Sequence, residues 1–149
     1  MKRCRDHKTA YVPGKTIVTI TLEDRAYKRE VDAMICPECG DDSALVSNGE
    51  MERAELEVAR RLAYNGEVTA EAFRFMRHAL SFSGEELAGV LGTTKETISR
   101  WERKEHELPR PAWLAVAGMV LDRLDRRTVI HDIADAADRP KVEHGEIRL

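Results

Sequence analysis

Two pairs of metal-ligating residues bracket the most regularly alternating stretch of the chain. Cys4 and His7 stand near the N-terminus with two residues between them, and Cys36 and Cys39 repeat that spacing in ICPECG. Between the pairs, KTIVTITLED (15–24) sets Ile17, Thr19 and Thr21 against Thr16, Val18, Ile20 and Leu22. The run AYKREVDAMI (26–35) alternates again at Tyr27, Arg29, Val31, Ala33 and Ile35. This period of two predicts an antiparallel hairpin over residues 15–35, turning at Glu23-Asp24-Arg25 and flanked by turns at Pro13-Gly14 and Cys36-Pro37. A hairpin brings its two ends together, so the pair before it and the pair after it become neighbours. Each two-residue gap lets both side chains of a tight turn reach one ion, and four N/S ligands satisfy the tetrahedral preference of zinc. The expected cofactor is therefore one Zn2+ per chain, held by Cys4, His7, Cys36 and Cys39, with a water or Glu38 as the alternatives to His7. The set is closed, so the ion is structural, and no general base or paired carboxylate points to an enzyme. In so small a module the binding free energy is largely folding free energy, about 10 kcal/mol in zinc-finger peptides.

Composition narrows the rest. Aromatics are only 5% of the 149 residues, so no single large core is expected, and a small subdomain needs a staple such as a metal. No run of eighteen apolar residues exists, and the N-terminus lacks the apolar core of a signal peptide. The expectation is a cytoplasmic protein with no membrane partner, where thiols stay reduced and Cys-x2-Cys spacing points to metal. A formal net charge of −3 offers no global electrostatic argument for nucleic acid.

From Gly49 the texture becomes helical. Met51, Leu56, Ala59, Leu62 and Ala63 recur at helical spacing up to Asn65-Gly66, which predicts a connecting helix over 48–66. TAEAFRFMRHAL carries Phe73, Met76 and Leu80 on one face. Ser83-Gly84-Glu85-Glu86 is a capping box opening GEELAGVL, Gly92 ends that helix, and Thr94 caps KETISRWERK. Pro109-Arg110-Pro111 restarts the chain into AWLAVAGMVLDRL, apolar on most sides and so buried or shared with a partner. RRTVIHDIADAAD predicts a last helix. The tail PKVEHGEIRL reads as polar and loose, with Val142, Ile147 and Leu149 able to add an edge strand.

Residues 82–108 have the layout of a helix-turn-helix. Leu87, Val90 and Leu91 are expected inward on its first helix, and Ile98 and Trp101 on its second. That leaves Lys95, Glu96, Ser99, Arg100 and Arg103 on the outer face. Thr94 and Lys95 suit phosphate or base edges, and Arg100 suits a bidentate contact to guanine. Thr97 and Lys104 complete the candidate DNA-binding set. Local charge is nearly balanced, so the turn and the ISRWE pattern carry this reading rather than charge.

Through ELAGVLGTTKETISRWE, residues 82–105 resemble the lambda-repressor-like, Xre-type DNA-binding domains. With a Cys-x2-His…Cys-x2-Cys module ahead of it, the chain resembles the MqsA family of type II antitoxins, with their YgiT-type zinc finger, over most of residues 1–125. The resemblance implies an α+β chain: a small zinc-stapled β-hairpin module (1–47), a connecting helix (48–66), an all-α helix-turn-helix domain (67–125) and a C-terminal helix and tail (126–149). It implies an antitoxin and autorepressor. The zinc module would block a cognate toxin, usually an mRNA-cleaving ribonuclease. The helical domain would form a homodimer on palindromic double-stranded operator DNA. By position Arg100 matches the family's base-reading arginine, and Glu96 falls where a member has a base-reading asparagine. Three departures stand out: His7 replaces a cysteine, Gly84 replaces a phosphate-contacting glutamine, and Glu96 is acidic. Glu96 either accepts from cytosine N4 or pairs with Arg100 at i+4 to hold it in position. A stand-alone zinc-containing repressor without a toxin is the competing function.

Overall fold

The computed structural model describes residues 2–125 and 136–149 of an α+β chain, which divides into two compact units. The first holds the residues up to Ala54 together with His144–Leu149; the second is Glu55–Glu143.

The first unit is built on β1 (Val12–Leu22) and β2 (Arg25–Cys36), paired antiparallel from Val12↔Ile35 to Leu22↔Arg25. The alternation in sequence is the alternation of faces: Tyr27, Val31 and Ala33 are buried, while Val18, Ile20 and Leu22 are half-buried. Gly14 lets Ile35 lie across β1: a Cβ there would come within 2.4 Å of Ile35 Cδ1, so that side chain would have to shift.

The expected hairpin is enlarged to a four-stranded sheet. β3 (Gly40–Val46) returns antiparallel along β2, with a register shift between Met34 and Cys36. The tail is not loose at its end: β4 (Glu146–Arg148) runs parallel to β2, setting Tyr27 against Ile147. Ile147 is buried, Lys28 pairs with Glu146, and the Leu149 N–H donates to the Lys28 carbonyl. One edge of β2 thus carries β1, and the other is shared by β3 near Cys36 and β4 near Arg25.

Helix α1 (Asn48–Asn65) begins in the first unit, where the Ser47 hydroxyl accepts from the Glu50 N–H, and continues into the second. There it joins α2 (Ala70–Ala79), α3 (Gly84–Leu91), α4 (Lys95–Glu102) and α5 (Arg110–Asp125). Their shared core is Phe73, Met76, Leu87, Ile98, Trp113, Val116 and Val120, all at most 1% exposed. The apolar circumference of α5 is thus used inside its own unit. The indole N–H of Trp113 donates to the Glu67 carbonyl at 2.8 Å, which satisfies the one polar atom of the largest core side chain.

One inward expectation fails. Val90 is 56% exposed, and the core position on α3 beside Leu87 is taken by Ala88. A two-turn helix packed by a narrow stripe has no room to turn Val90 inward as well. The predicted helix RRTVIHDIADAAD lies outside the described residues except for 136–138, which are helical. No helix among the described residues is long and apolar enough to cross a membrane.

Candidate metal centre and the α4 groove

Each ligand pair sits in a turn closed by its own backbone. In the first, the Cys4 N–H donates to the Thr9 carbonyl (2.9 Å) and the Lys8 N–H to the Cys4 carbonyl (3.0 Å), with Lys8 at a φ of 57° and Arg3 bridged to Ala10. In the second, Cys36 pairs with Gly40, whose φ of 61° suits glycine. Because Val12 and Ile35 are register partners, these two turns leave the same end of the hairpin.

The four ligand atoms of Cys4, His7, Cys36 and Cys39 lie within 4.8 Å of one another and could hold one metal ion. Cys4 Sγ is 3.5 Å from Cys39 Sγ, and His7 Nδ1 is 3.0 Å from Cys39 Sγ and 3.9 Å from both Cys4 Sγ and Cys36 Sγ. Cys4 and Cys36 are buried, Cys39 is half-buried, and His7 closes the outer side. Glu38 is not a member of this group. Its carboxylate faces the other ring nitrogen, Nε2 of His7, at 3.9 Å, and accepts from the Thr9 hydroxyl across the two turns. At that distance the carboxylate acts on the ring through charge rather than through a hydrogen bond. Backbone N–H groups of His7 and Asp6, then the His7 side chain, hold the Cys4 thiol down to about 6, which favours the thiolate that metals bind. The same contact with Cys4 raises the His7 imidazole above its ordinary value.

The second site is a groove between the start of α3 and the outer face of α4. Gly84 and Glu85 line it from α3, and Lys95, Glu96, Ser99, Arg100 and Arg103 line it from α4 and its end. Local sequence sets both helix starts. Ser83 and Glu86 exchange hydrogen bonds in a complete capping box, with the Ser83 N–H 2.7 Å from Glu86 Oε2 and the Glu86 N–H 3.1 Å from Ser83 Oγ. Gly92, at a φ of 67°, ends α3 in the left-handed conformation. Thr94 then caps α4 by accepting from the Thr97 N–H.

The predicted DNA-binding residues fall into three groups. Lys95, Glu96, Ser99, Arg100 and Arg103 share the groove, and Arg103 also pairs with Glu105 at 3.3 Å. Thr94 and Thr97 are engaged with each other at the cap, their hydroxyls 3.0 Å apart. Lys104 is turned away. With a φ of 61° just after α4, it pairs with Glu71 at the start of α2 and lines a different groove with His106 and Leu108. Glu85 is the groove residue the sequence reading passed over, because capping-box logic assigns it only to the helix dipole. No protein-family model matches this chain, and neither does any curated protein or solved structure.

Proposed function

We propose that this chain is a zinc-stapled, DNA-binding transcriptional repressor of the antitoxin type, one that binds its own operator and neutralises a toxin encoded beside it. The observation that carries the DNA-binding part is the groove. It gathers Lys95, Ser99 and Arg100 on the first two turns of α4 beside the start of α3, where the positive ends of the helix dipoles favour phosphate. An exposed arginine within the first two turns of a helix is placed to meet a guanine edge once that helix enters the major groove. Lys104 contributes no base contact in this reading. A single helix-turn-helix reaches useful specificity as a homodimer on two half-sites about one helical turn apart.

Zinc suits the metal group. Zinc–sulfur and zinc–nitrogen bonds of about 2.3 and 2.0 Å give a tetrahedron whose S–S and S–N edges are roughly 3.8 and 3.5 Å. The separations of 3.0–3.9 Å between His7 Nδ1 and the three sulfurs and between Cys4 and Cys39 scatter about those values, and all four ligand atoms lie within 4.8 Å of one another. Three thiolates and one imidazole complete the shell, so the ion would staple the first residues to the β2–β3 turn rather than bind substrate.

Two measurements separate the parts of this proposal. The zinc-loaded chain is titrated with duplex DNA from upstream of its own gene and with scrambled duplex; preferential binding upstream supports the repressor. Co-expression with the adjacent reading frame tests the antitoxin. Growth arrest by the neighbour, relieved by this chain, supports it, and arrest without relief removes the antitoxin role while leaving the repressor.

A further inference from the structure

We infer that Glu96 reads a cytosine and so fixes one base pair of the recognition site, an inference that rests on the DNA-binding reading above. Glu96 is exposed in the first turn of α4 and lines the groove beside Lys95, Ser99 and Arg100. Glu102 pairs with Arg77 and Glu105 with Arg103, so the carboxylates left to face this groove are Glu96 on α4 and Glu85 on α3. Glu96 and Arg100 stand one turn apart on the same face, yet no ion pair joins them among the described residues. The carboxylate is therefore not spent on holding the arginine, and it faces whatever occupies the groove.

A carboxylate can only accept, which limits what it meets there. Phosphate oxygens repel it, and so do guanine O6 and N7 and thymine O4. Adenine offers its N6 amino group beside the N7 acceptor, whereas cytosine offers N4 with no acceptor alongside on its major-groove edge. Of the four bases, cytosine is thus the one whose exposed edge suits Glu96 without an opposing contact. The same charge weakens binding to any other duplex, so Glu96 rejects as well as selects. Four residues of helix span about 6 Å, close to two base steps of about 3.4 Å. The cytosine therefore lies within about two steps of the base that Arg100 meets.

A first-turn glutamate also stabilises its helix through the dipole, and that role makes no demand on sequence. The distinguishing experiment is selection of the full zinc-loaded chain against a random duplex library, repeated for Glu96→Gln and Glu96→Ala. The wild type is expected to select cytosine at one position, with roughly tenfold weaker binding to the other bases there. Glu96→Gln moves that preference to adenine, which the amide meets at both N6 and N7. Glu96→Ala levels the four bases at that position, keeps the remaining preferences and tightens binding to unrelated DNA. Cytosine preference that survives Glu96→Ala overturns this inference alone. A wild type that selects no sequence overturns it together with the DNA-binding reading.

Discussion

Arg77 grips Glu102 with two hydrogen bonds, Nε to Oε1 at 2.6 Å and Nη2 to Oε2 at 2.9 Å, with each side chain one-tenth exposed. The remaining arm of the guanidinium donates to the Phe82 carbonyl at 2.8 Å, so one side chain ties α2 to the end of α4 and to the loop before α3. Ile98 is buried on the inner face of α4, and Trp101 meets Phe73 edge-on at 6.1 Å. Together these contacts fix how α4 lies, and hence which side chains it turns outward. Truncating one member leaves a desolvated charge behind. Glu102→Ala is expected to cost about 3 kcal/mol in urea denaturation, with the double replacement Arg77→Met, Glu102→Met costing much less. Equal losses in the single and double variants would show that packing, not the pair, supplies the stability.

Metal removal should act on one unit. A strong chelator is expected to strip one zinc per chain and to abolish amide protection in β1, β2 and β3, while α2 to α5 keep theirs, because binding and folding are one event in a small metal-stapled sheet. Cys36→Ser should purify without stoichiometric zinc. Elemental analysis and amide exchange check both statements. Loss of protection in the helices along with the sheet would contradict the separation.

Acid should weaken the α3 cap in a defined direction. The Ser83 backbone N–H holds the Glu86 carboxyl below its ordinary 4.5. A lowered folded value means that the stabilisation is complete above 4.5 and is lost as pH falls below it, through the depressed value. Thermal melts of wild type and Glu86→Gln should therefore differ by a constant amount from pH 7 to 5 and converge below 4.5. The two share the candidate metal centre, so any acid sensitivity of that cluster cancels in the difference. A gap that does not close in acid would mean that Glu86 contributes nothing as a carboxylate.

Much of this was legible in the sequence because the signals are local. Alternation at Thr16–Leu22 and Tyr27–Ile35 marks the strands, two-residue gaps mark the ligand turns, and Ser83/Glu86, Gly92 and Thr94 mark the helix ends. What escaped is set by distant partners. β3 is hard to foresee because GDDSALV opens with polar residues and pairs only through the turn at Cys36–Gly40. β4 is three residues long and is selected by the edge of β2 that receives it. Arg77 and Glu102 are charged, far apart in sequence and without periodicity, so nothing local announces the buried pair. Lys104 shares the run of basic residues with Arg100 and Arg103, but a single left-handed backbone step sends it to Glu71.

The outer face of α4 is proposed to read duplex DNA. The most direct test of that reading is fluorescence anisotropy with the zinc-loaded chain and Arg100→Ala, on upstream duplex and on scrambled duplex of equal length and salt. The expected result is preference of the wild type for the upstream duplex, and a loss of about 1–3 kcal/mol on that duplex in Arg100→Ala with little change on the scrambled one. Equal wild-type affinity for the two duplexes would contradict it.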